Sequence, residues 1–451
     1  MTELTLQEAV KAAGGKLFNA DGIEGGQKAL VGSITLDSRR VGKNALFVAI
    51  KGERVDGHDY IASAMERGAL AAISEKDVPY PHIRVKSSLA AMQGIAAYMR
   101  NKSGLPVIAV VGSVGKTTTR QMLTCVLEQK YSHILSTDGN FNNEFGLPQM
   151  LFKLEEYHEL AVLELGISTF GEMTRLGKIA RPNYAVYTNI GNMHLENLGD
   201  RDGVLKAKTE LVPYIKEGGK LFLNGADDKL RAYDPPVPVC YFGVEECYCV
   251  HAEAVEQIGL ERTDFTLVYR DKTLRVSMPA AGAHMVLNAI AAATVAAELG
   301  LTAEQVKAGI ENYSPVGHRG RVEKLAEITL VDDCYNAGPD SMRASISTLK
   351  GARRVALLGD MLELGKDEQQ LHISLGEYCA KHLDALFTVG TLGAKIAEGA
   401  EKAGMSDVFR TTHETAADDL KAYLKAGDVL LIKASRGMHL EDVVEAVMKW
   451  K

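Results

Sequence analysis

The sequence predicts an α/β protein of three domains. Three observations support this prediction: a length of 451 residues, which exceeds what one hydrophobic core usually holds, a set of short apolar runs after residue 107, and a second set after residue 328. We expect a small mixed α/β domain at residues 1–103, a central domain with a mostly parallel sheet at 104–314, and a doubly wound, Rossmann-like domain at 315–451.

The first domain mixes short apolar runs with charged segments. Residues 1–18 follow an amphipathic pattern after a threonine, which is typical of a capped helix and not of a signal peptide. The runs at 45–50 and 69–74 predict strands. The composition of residues 101–106 is that of a linker, so we place the end of the domain near residue 103.

Four apolar runs predict the sheet of the central domain, at 107–112, 160–166, 184–191 and 220–225. Each is short, rich in β-forming residues and bounded by Gly or Asn, as expected for parallel strands buried on both faces. A polar segment follows each run. Because the carboxyl ends of parallel strands meet at one edge of a sheet, the four segments predict a single ligand site there.

The rest of the chain is predicted in the same way. A meander of short strands at about 237–280 precedes an Ala-rich helix at 284–299 and a hinge at 313–317. Apolar runs separated by helical patterns then predict the second doubly wound unit, at 328–333, 354–360, 385–390 and 428–435.

Composition excludes several classes of protein. The net charge of −7, from 51 basic and 58 acidic residues, gives no global attraction to nucleic acid or to an anionic membrane. No apolar run approaches the roughly 20 residues that a membrane-spanning helix needs. Six cysteines are too few for a disulfide scaffold, so we expect a cytoplasmic protein.

Residues 112–118, Gly-Ser-Val-Gly-Lys-Thr-Thr, lie between a predicted strand and a predicted helix. The backbone N–H groups of such a turn form a nest for phosphate oxygens, Lys116 can reach the outer phosphates of a nucleotide, and Thr117 can offer its hydroxyl to Mg²⁺. Val110 stands where the common phosphate loop has Gly, so only half of that motif is present. The alternative is an ordinary Gly turn capped by threonines.

This loop resembles the ATP loop of the Mur ligases, and the similarity extends over nearly the whole chain. The further segments that carry it are 137–148, 188–195, 332–342, 357–365 and 433–436. The resemblance implies an ATP-dependent amide ligase that adds D-alanyl-D-alanine to UDP-N-acetylmuramoyl-tripeptide through an acyl phosphate, in cytoplasmic peptidoglycan synthesis for the cell wall. It also implies a monomer that takes small-molecule substrates.

The resemblance also implies the cofactors and the site residues. ATP would contact Gly112, Ser113, Val114, Gly115, Lys116, Thr117, Thr118, Asn288, Arg321, Asp333 and Asn336. Two Mg²⁺ ions would be held by Thr117, Glu164, His194 and Lys208, the last as a carbamate formed with CO₂. Lys116, His194, Lys208 and Arg321 would serve catalysis. From the residues alone, Glu164 is a suitable oxygen ligand beside the phosphate loop, whereas a lone His and a helical Lys are more often structural or solvated.

Other residues are implied to bind the UDP-muramyl substrate. Ser38 and Arg39 would meet its uridine diphosphate, and Asn140, Asn142 and Asn143 would orient the substrate or its reacting carboxylate. The alternatives are a surface turn with a salt bridge for the first group and simple turn formation for the asparagines. Arg319 competes with Arg321 as the residue that neutralises the transferring phosphoryl group.

Several alternatives stay open at the level of the whole protein. They are another Mur-type amide ligase or a folylpolyglutamate synthetase, a P-loop phosphotransferase without an amide product, and a silent nucleotide-binding partner of a cell wall complex. Cys240, Cys247, Cys249 and His251 have a spacing that suits zinc poorly, so buried thiols are the favoured interpretation there.

Overall fold

A computed structural model describes residues 2–450 and contains, within them, four β-sheets and sixteen α-helices. The strands are β1 Lys16–Phe18, β2 Ser33–Thr35, β3 Ala45–Val48, β4 Ala69–Ser74, β5 His82–Arg84, β6 Val107–Val111, β7 Ile134–Ser136, β8 Leu160–Glu164, β9 Tyr184–Tyr187, β10 Lys220–Asn224, β11 Val239–Phe242, β12 Val250–Ile258, β13 Arg262–Tyr269, β14 Lys272–Met278, β15 Arg321–Lys324, β16 Thr329–Asp332, β17 Arg353–Leu358, β18 Ala385–Val389, β19 Val408–Thr411 and β20 Asp428–Lys433. The helices are α1 Leu6–Ala13, α2 Ile61–Glu66, α3 Ser88–Ser103, α4 Lys116–Leu127, α5 Gly146–Leu151, α6 Glu172–Ala180, α7 Leu195–Leu198, α8 Arg201–Thr209, α9 Asp228–Ala232, α10 Ala283–Glu298, α11 Ala303–Glu311, α12 Pro339–Ser347, α13 Glu368–His382, α14 Gly393–Lys402, α15 Ala416–Tyr423 and α16 Glu441–Met448.

The first sheet has the order β1-β5-β4-β3-β2, with one antiparallel edge pair, β1 with β5. Helix α1 begins as predicted, because the Thr5 hydroxyl accepts from the Glu8 N–H and the Glu8 carboxylate accepts from the Thr5 N–H. Such a capping box satisfies two backbone donors that a helix start otherwise leaves unpaired. The predicted small mixed α/β domain is therefore found.

The second sheet, β11-β10-β9-β6-β8-β7, is parallel throughout. Its central strand β6 is apolar on both faces: Val107, Ala109 and Val111 pack into one core, and Ile108 and Val110 into another. Because β8 and β9 flank β6 in register, the segments after these three strands meet at one edge. The sheet thus brings the phosphate loop next to Glu164 and the residues that follow β9.

In the second sheet, two short strands differ from the sequence prediction. Strand β7 was not predicted, and β11, which was assigned to a meander, adds to the parallel sheet beside β10. The meander itself is the antiparallel sheet β12-β13-β14, followed by the Ala-rich helix α10, as predicted. Helix α10 packs against α4, the helix that starts at the phosphate loop.

The last sheet has the order β15-β16-β20-β17-β18-β19 and is parallel except for its edge strand β15. Core residues cover both of its faces, as expected for a doubly wound unit. The α/β class and the three-domain architecture are confirmed, and the boundaries near residues 103 and 314 stay predictions. Within residues 2–450, no helix combines the length and the hydrophobicity that a membrane span requires.

Candidate active site

A cavity of about 520 Å³ lies between the carboxyl edges of the second and the last sheets. From the central part of the chain it is lined by Ser113–Thr118, Asn140, Asn142, Asn143, Glu164, His194 and Asn288. From the C-terminal part it is lined by Arg319, Asp333, Tyr335, Asn336 and Lys433. The structure therefore brings together most of the residues that the sequence assigns to ATP and magnesium.

The phosphate loop is held in shape by the segment after β9. A Cβ at Gly112 would lie 1.9 Å from the Thr188 hydroxyl oxygen, so only glycine permits this approach. Asn189 accepts from the Val114 N–H at 2.9 Å and donates to the Val114 carbonyl at 3.0 Å. Gly115 has a φ of +82°, a conformation that suits glycine. These contacts hold the loop in one defined conformation.

Lys116, the first residue of α4, bends back over the loop. Its ammonium donates to the carbonyls of Gly112 at 2.9 Å and Ser113 at 3.1 Å. Burial lowers the pKa of Lys116, and the negative charge of Glu164 opposes that change. A cation in this place, at the start of a helix, matches the position from which a lysine contacts nucleotide phosphates.

Glu164 ends strand β8 and is only 2% exposed. Its Oε1 accepts from the Asn142 amide at 2.7 Å, whereas its Oε2 has no hydrogen-bond partner among residues 2–450 and lies 3.8 Å from Arg120 Nε. A buried, unpaired carboxylate oxygen is costly unless something binds it. A hard oxygen donor beside a phosphate loop fits Mg²⁺, which prefers such ligands.

His194 and Lys208 differ in their position relative to the cavity. His194 lines the cavity and has a φ of +56°, and its Nδ1 is hydrogen-bonded to the Glu363 carboxylate of the last domain. Lys208 is 1% exposed and is not among the residues that line the cavity. Burial and the positive charge of Lys116 hold its pKa well below the ordinary value. Both effects disfavour the charged ammonium form of Lys208.

The predicted ATP-binding residues of the later segments lie on two sides of the cavity. The Asn288 side-chain oxygen accepts from the Thr119 hydroxyl at 3.0 Å, which ties α10 to α4. Asp333 forms an ion pair with Lys433 at 2.6 Å and accepts from the Ser345 hydroxyl at 2.5 Å. Lys433 also donates to the Asn336 carbonyl at 3.0 Å, so this loop is fixed from within its own domain.

The two candidate arginines are separated by the structure. Arg321 is exposed on β15, paired with Glu323, and does not line the cavity. Arg319 does line it, with its guanidinium 3.9 Å from the centre of the Tyr335 ring. Arg321 and Glu323 are two residues apart on one strand, so they share a face. The strand alternation therefore turns Arg321 away from the cavity.

Some of the residues predicted to bind the UDP-muramyl substrate line the cavity, and others do not. Asn140, Asn142 and Asn143 line the cavity, and Asn143 additionally accepts from the backbone N–H groups of Phe145 and Gly146 at 3.1 and 2.9 Å. Ser38 and Arg39 lie in the first domain, outside the cavity lining.

Arg39 is exposed and forms a two-point contact with Asp37, at 2.9 and 2.8 Å. Such a pair matches the surface salt bridge that the sequence left as an alternative. The UDP assignment of Ser38 and Arg39 stays a prediction.

The cysteine group with His251 does not form a set of metal ligands among residues 2–450. A different group, His318, Asp332 and Cys334, has its ligand atoms within 4.8 Å of one another. However, His318 Nδ1 and Asp332 Oδ2 are 2.6 Å apart, which is a hydrogen bond. Two ligands of one zinc ion at about 2.1 Å each lie more than about 3 Å apart in a tetrahedral site, so this group is a hydrogen-bonded cluster.

Sequence reasoning missed Glu363 and Asp340 at this site. Glu363 contacts His194, and Asp340 lines the cavity with its carboxylate near the Asn192 N–H. Each is about 150 residues or more from its contact in the chain. The only signal for either was that it lies in a segment resembling the Mur ligases.

Comparisons with known proteins agree with this geometry. The family model "Mur ligase middle domain" matches residues 110–296, "Mur ligase, glutamate ligase domain" matches 320–436, and "Mur ligase family, catalytic domain" matches 31–112. A UDP-N-acetylmuramoyl-tripeptide–D-alanyl-D-alanine ligase from Bacillus subtilis is 36% identical, over 94% of both chains.

Two solved structures are similar over nearly their whole length. A crystal structure of MurF from Acinetobacter baumannii has a TM-score of 0.90 at 30% identity and covers 100% of both chains. MurF ligase from Thermotoga maritima in complex with ADP has a TM-score of 0.84 at 30% identity, covering 93% of this chain and 97% of that one. Family models, relatives and structures agree, and this chain belongs to the Mur ligase family.

Proposed function

We propose that this protein is an ATP-dependent ligase that joins D-alanyl-D-alanine to UDP-N-acetylmuramoyl-tripeptide in peptidoglycan precursor synthesis. The observation that carries the proposal is the single cavity in which the phosphate loop, Glu164 and His194 face Arg319 and Asp333 of the last domain. The activity named for the B. subtilis relative supplies the choice of substrates. All six cysteines are free thiols, which supports the cytoplasm as the place of action.

The nucleotide is ATP, and its phosphates lie along residues 112–118. The complex of the T. maritima relative with ADP supports this choice. Lys116 neutralises the outer phosphates, and Asn288 contributes to the adenine side of the cavity. From the last domain, Asp333 and Asn336 border the same space.

Two Mg²⁺ ions would be held by the hydroxyl of Thr117, the carboxylate of Glu164 and the imidazole of His194, which line the cavity. A modified Lys208 would be a further ligand, although the structure places this side chain outside the cavity lining. The unpaired Glu164 Oε2 is the observation that supports a cation here. Bound Mg²⁺ would neutralise charge that develops on the γ-phosphoryl group. The protein's own contribution is to fix these side chains at one edge of the sheet.

Lys208 would react with CO₂ to form a carbamate, with release of one proton. A neutral amine is the form that attacks CO₂, and burial beside the positive charge of Lys116 lowers the pKa of Lys208 and so disfavours its charged form. A carbamate would add an anionic oxygen donor. Nuclear magnetic resonance of protein equilibrated with ¹³C-labelled CO₂ tests this step: a carbamate signal that is absent from Lys208→Ala supports it, and a spectrum without that signal contradicts it.

Amide formation proceeds in two steps. The terminal carboxylate of the tripeptide attacks the γ-phosphorus of ATP, giving an acyl phosphate and ADP; the amine of D-alanyl-D-alanine then attacks the carbonyl carbon and releases phosphate. Asn140 and Asn142 orient the carboxylate end, while Ser38 and Arg39 hold the uridine diphosphate end. Arg319 faces the phosphates, and Arg321 is the alternative if the last domain rotates further.

The test is phosphate release from ATP with each substrate alone and with both. We expect rapid release only when the UDP-tripeptide and D-alanyl-D-alanine are both present, together with a product that carries two more alanines by mass. Release that needs only one substrate, or a phosphorylated product without an amide, would favour a phosphotransferase.

A further inference from the structure

The turn of residues 363–365 packs directly against the loop that carries His194. The Glu363 carboxylate is hydrogen-bonded to His194 Nδ1, and the Glu363 carbonyl accepts from the Glu196 N–H at 3.3 Å. A Cβ at Gly365 would lie 3.0 Å from the Glu196 Cα, so glycine allows the two segments to approach this closely. The central and last domains thus meet at a specific contact beside the cavity.

The backbone conformation of both partners is unusual. His194 has a φ of +56° and Glu363 a φ of +64°, and non-glycine residues seldom adopt the left-handed region. These two residues face each other across the contact between the domains. Strain of this kind is found where function requires a particular geometry.

The turn that presents Glu363 is anchored inside its own domain. The Met361 N–H donates to His372 Nε2 at 2.9 Å, and the Leu362 N–H donates to the Ser435 hydroxyl at 2.9 Å. Met361 is fully buried. These contacts fix the turn inside the last domain, so the position of Glu363 is set by the position of that domain.

The hydrogen bond between Glu363 and His194 determines which ring nitrogen of His194 carries the proton. An ionised carboxylate only accepts, so Nδ1 of His194 donates, and a neutral ring then keeps its lone pair on Nε2. Histidines that bind metals usually donate their other ring N–H to a carboxylate or a carbonyl, which orients the ring and raises its basicity. The Glu363 contact has this form, and His194 lines the cavity together with Glu164.

We propose that Glu363 is a positioning residue that orients His194 toward the cation of the nucleotide site, so that arrival of the last domain completes the metal site. The inference rests on the proposed function for the identity of that cation. It adds a physical link between domain closure and cation binding: an open molecule lacks the carboxylate that holds the imidazole in place.

The test measures cation binding directly. Mn²⁺ is titrated into the full-length protein with ADP present, and free Mn²⁺ is followed by electron paramagnetic resonance. Glu363→Ala should weaken Mn²⁺ binding about 10–100-fold, the usual effect of removing such an outer partner. Glu401→Ala is the matched control, since Glu401 pairs with Arg410 on the surface of the same domain at 2.6 Å; it should bind Mn²⁺ like the unsubstituted protein.

Two further variants separate orientation from general damage. Glu363→Gln keeps an oxygen acceptor for Nδ1 and should bind Mn²⁺ more tightly than Glu363→Ala. In a His194→Ala background, Glu363→Ala should have no additional effect, because its partner is gone.

Mn²⁺ binding by Glu363→Ala equal to that of Glu401→Ala would overturn the inference, as would equal weakening by Glu363→Gln and Glu363→Ala or a full effect without His194. The proposed function fails separately, through an unsubstituted protein that does not form the amide.

Discussion

The carboxyl edges of the second and the last sheets face the same cavity, and they differ in how their buried charged side chains are paired. At the edge of the second sheet, Glu164 Oε2 and Arg120 Nε are buried without hydrogen-bond partners among residues 2–450. At the edge of the last sheet, Asp333 is satisfied by Lys433 and Ser345. The charged groups at the edge of the second sheet (the first edge) therefore need a ligand to satisfy them. Those at the edge of the last sheet (the second edge) are satisfied within the protein and contribute by where they lie in the cavity.

This difference in pairing affects the stability of the folded protein and the expected results of substitutions. A buried charge without a partner lowers the stability of the folded protein, and a protein retains such a group where binding needs it. Substitutions at the first edge should therefore reduce function with little change in stability. Substitutions at the second edge should reduce stability as well.

The largest effect is expected for Lys116→Ala. Removal of a cation that stabilises the transferring phosphoryl group should lower ATP turnover by about 10²–10³-fold. The stability should change little, because the hydrogen bonds of this ammonium to residues 2–450 are only those to the carbonyls of Gly112 and Ser113. Lys130→Ala is the control, since Lys130 also bonds a carbonyl, that of Leu299, away from the cavity. Unchanged phosphate release in Lys116→Ala would remove the ATP assignment.

Asp333→Asn tests the second edge through stability. Lys433 is 3% exposed, and loss of its charged partner leaves a buried ammonium with carbonyl acceptors but no negative charge beside it. We expect the free energy of unfolding to fall by about 3 kcal/mol, as when one member of a buried ion pair is removed. Urea denaturation measures this change.

Asp384→Asn is the matched control for that measurement. Asp384 pairs with Arg354 at 3.0 Å on the surface of the same domain, where about 1 kcal/mol or less is expected. Equal losses for both variants would mean that the last domain does not depend on the Asp333–Lys433 pair.

Glu164→Gln tests the first edge through its cation. A glutamine keeps an acceptor for the Asn142 amide but removes the negative charge, so the Mg²⁺ concentration for half-maximal turnover should rise about 10–100-fold. Relief of the buried charge and loss of the attraction to Arg120 oppose each other, so the urea midpoint should stay close to that of the unsubstituted protein. Glu159→Gln, on the loop before β8, should leave the Mg²⁺ requirement unchanged. An unchanged Mg²⁺ requirement in Glu164→Gln would contradict the metal role.

The fold was predictable from sequence where strands are buried on both faces. Strand β6 is an unbroken apolar run because its alternate residues enter two different cores. The short strands β7 and β11 are not unbroken apolar runs of this kind. Each lies at an edge of the sheet and is covered by a neighbouring strand on one side only. Their place in the sheet is decided by tertiary packing.

The site was predictable where its residues are neighbours in the chain. Lys116 and Thr117 follow from the spacing of one loop, and Glu164 follows from its place at the end of a buried strand. Glu363 could not be found in this way, because its contact with His194 spans 169 residues and depends on how two domains meet. Such contacts follow from the fold and leave no periodicity in the sequence.

The smallest expected effect on kcat is for the two candidate arginines. Comparing Arg319 with Arg321 also indicates where the last domain lies during the reaction. Arg319 lines the cavity, and Arg321 is paired with Glu323 on an exposed face. If the domain already lies in its working position, Arg319→Ala should lower kcat about tenfold, which corresponds to about 1.4 kcal/mol of lost transition-state stabilisation. Arg321→Ala should then lower kcat less than about twofold, as expected for an exposed ion pair. The kcat values of the two variants, measured at saturating ATP and Mg²⁺, decide between them. A larger loss for Arg321→Ala would mean that the domain turns further before phosphoryl transfer and brings the other face of β15 onto ATP, so that the second edge would act by motion as well as by position.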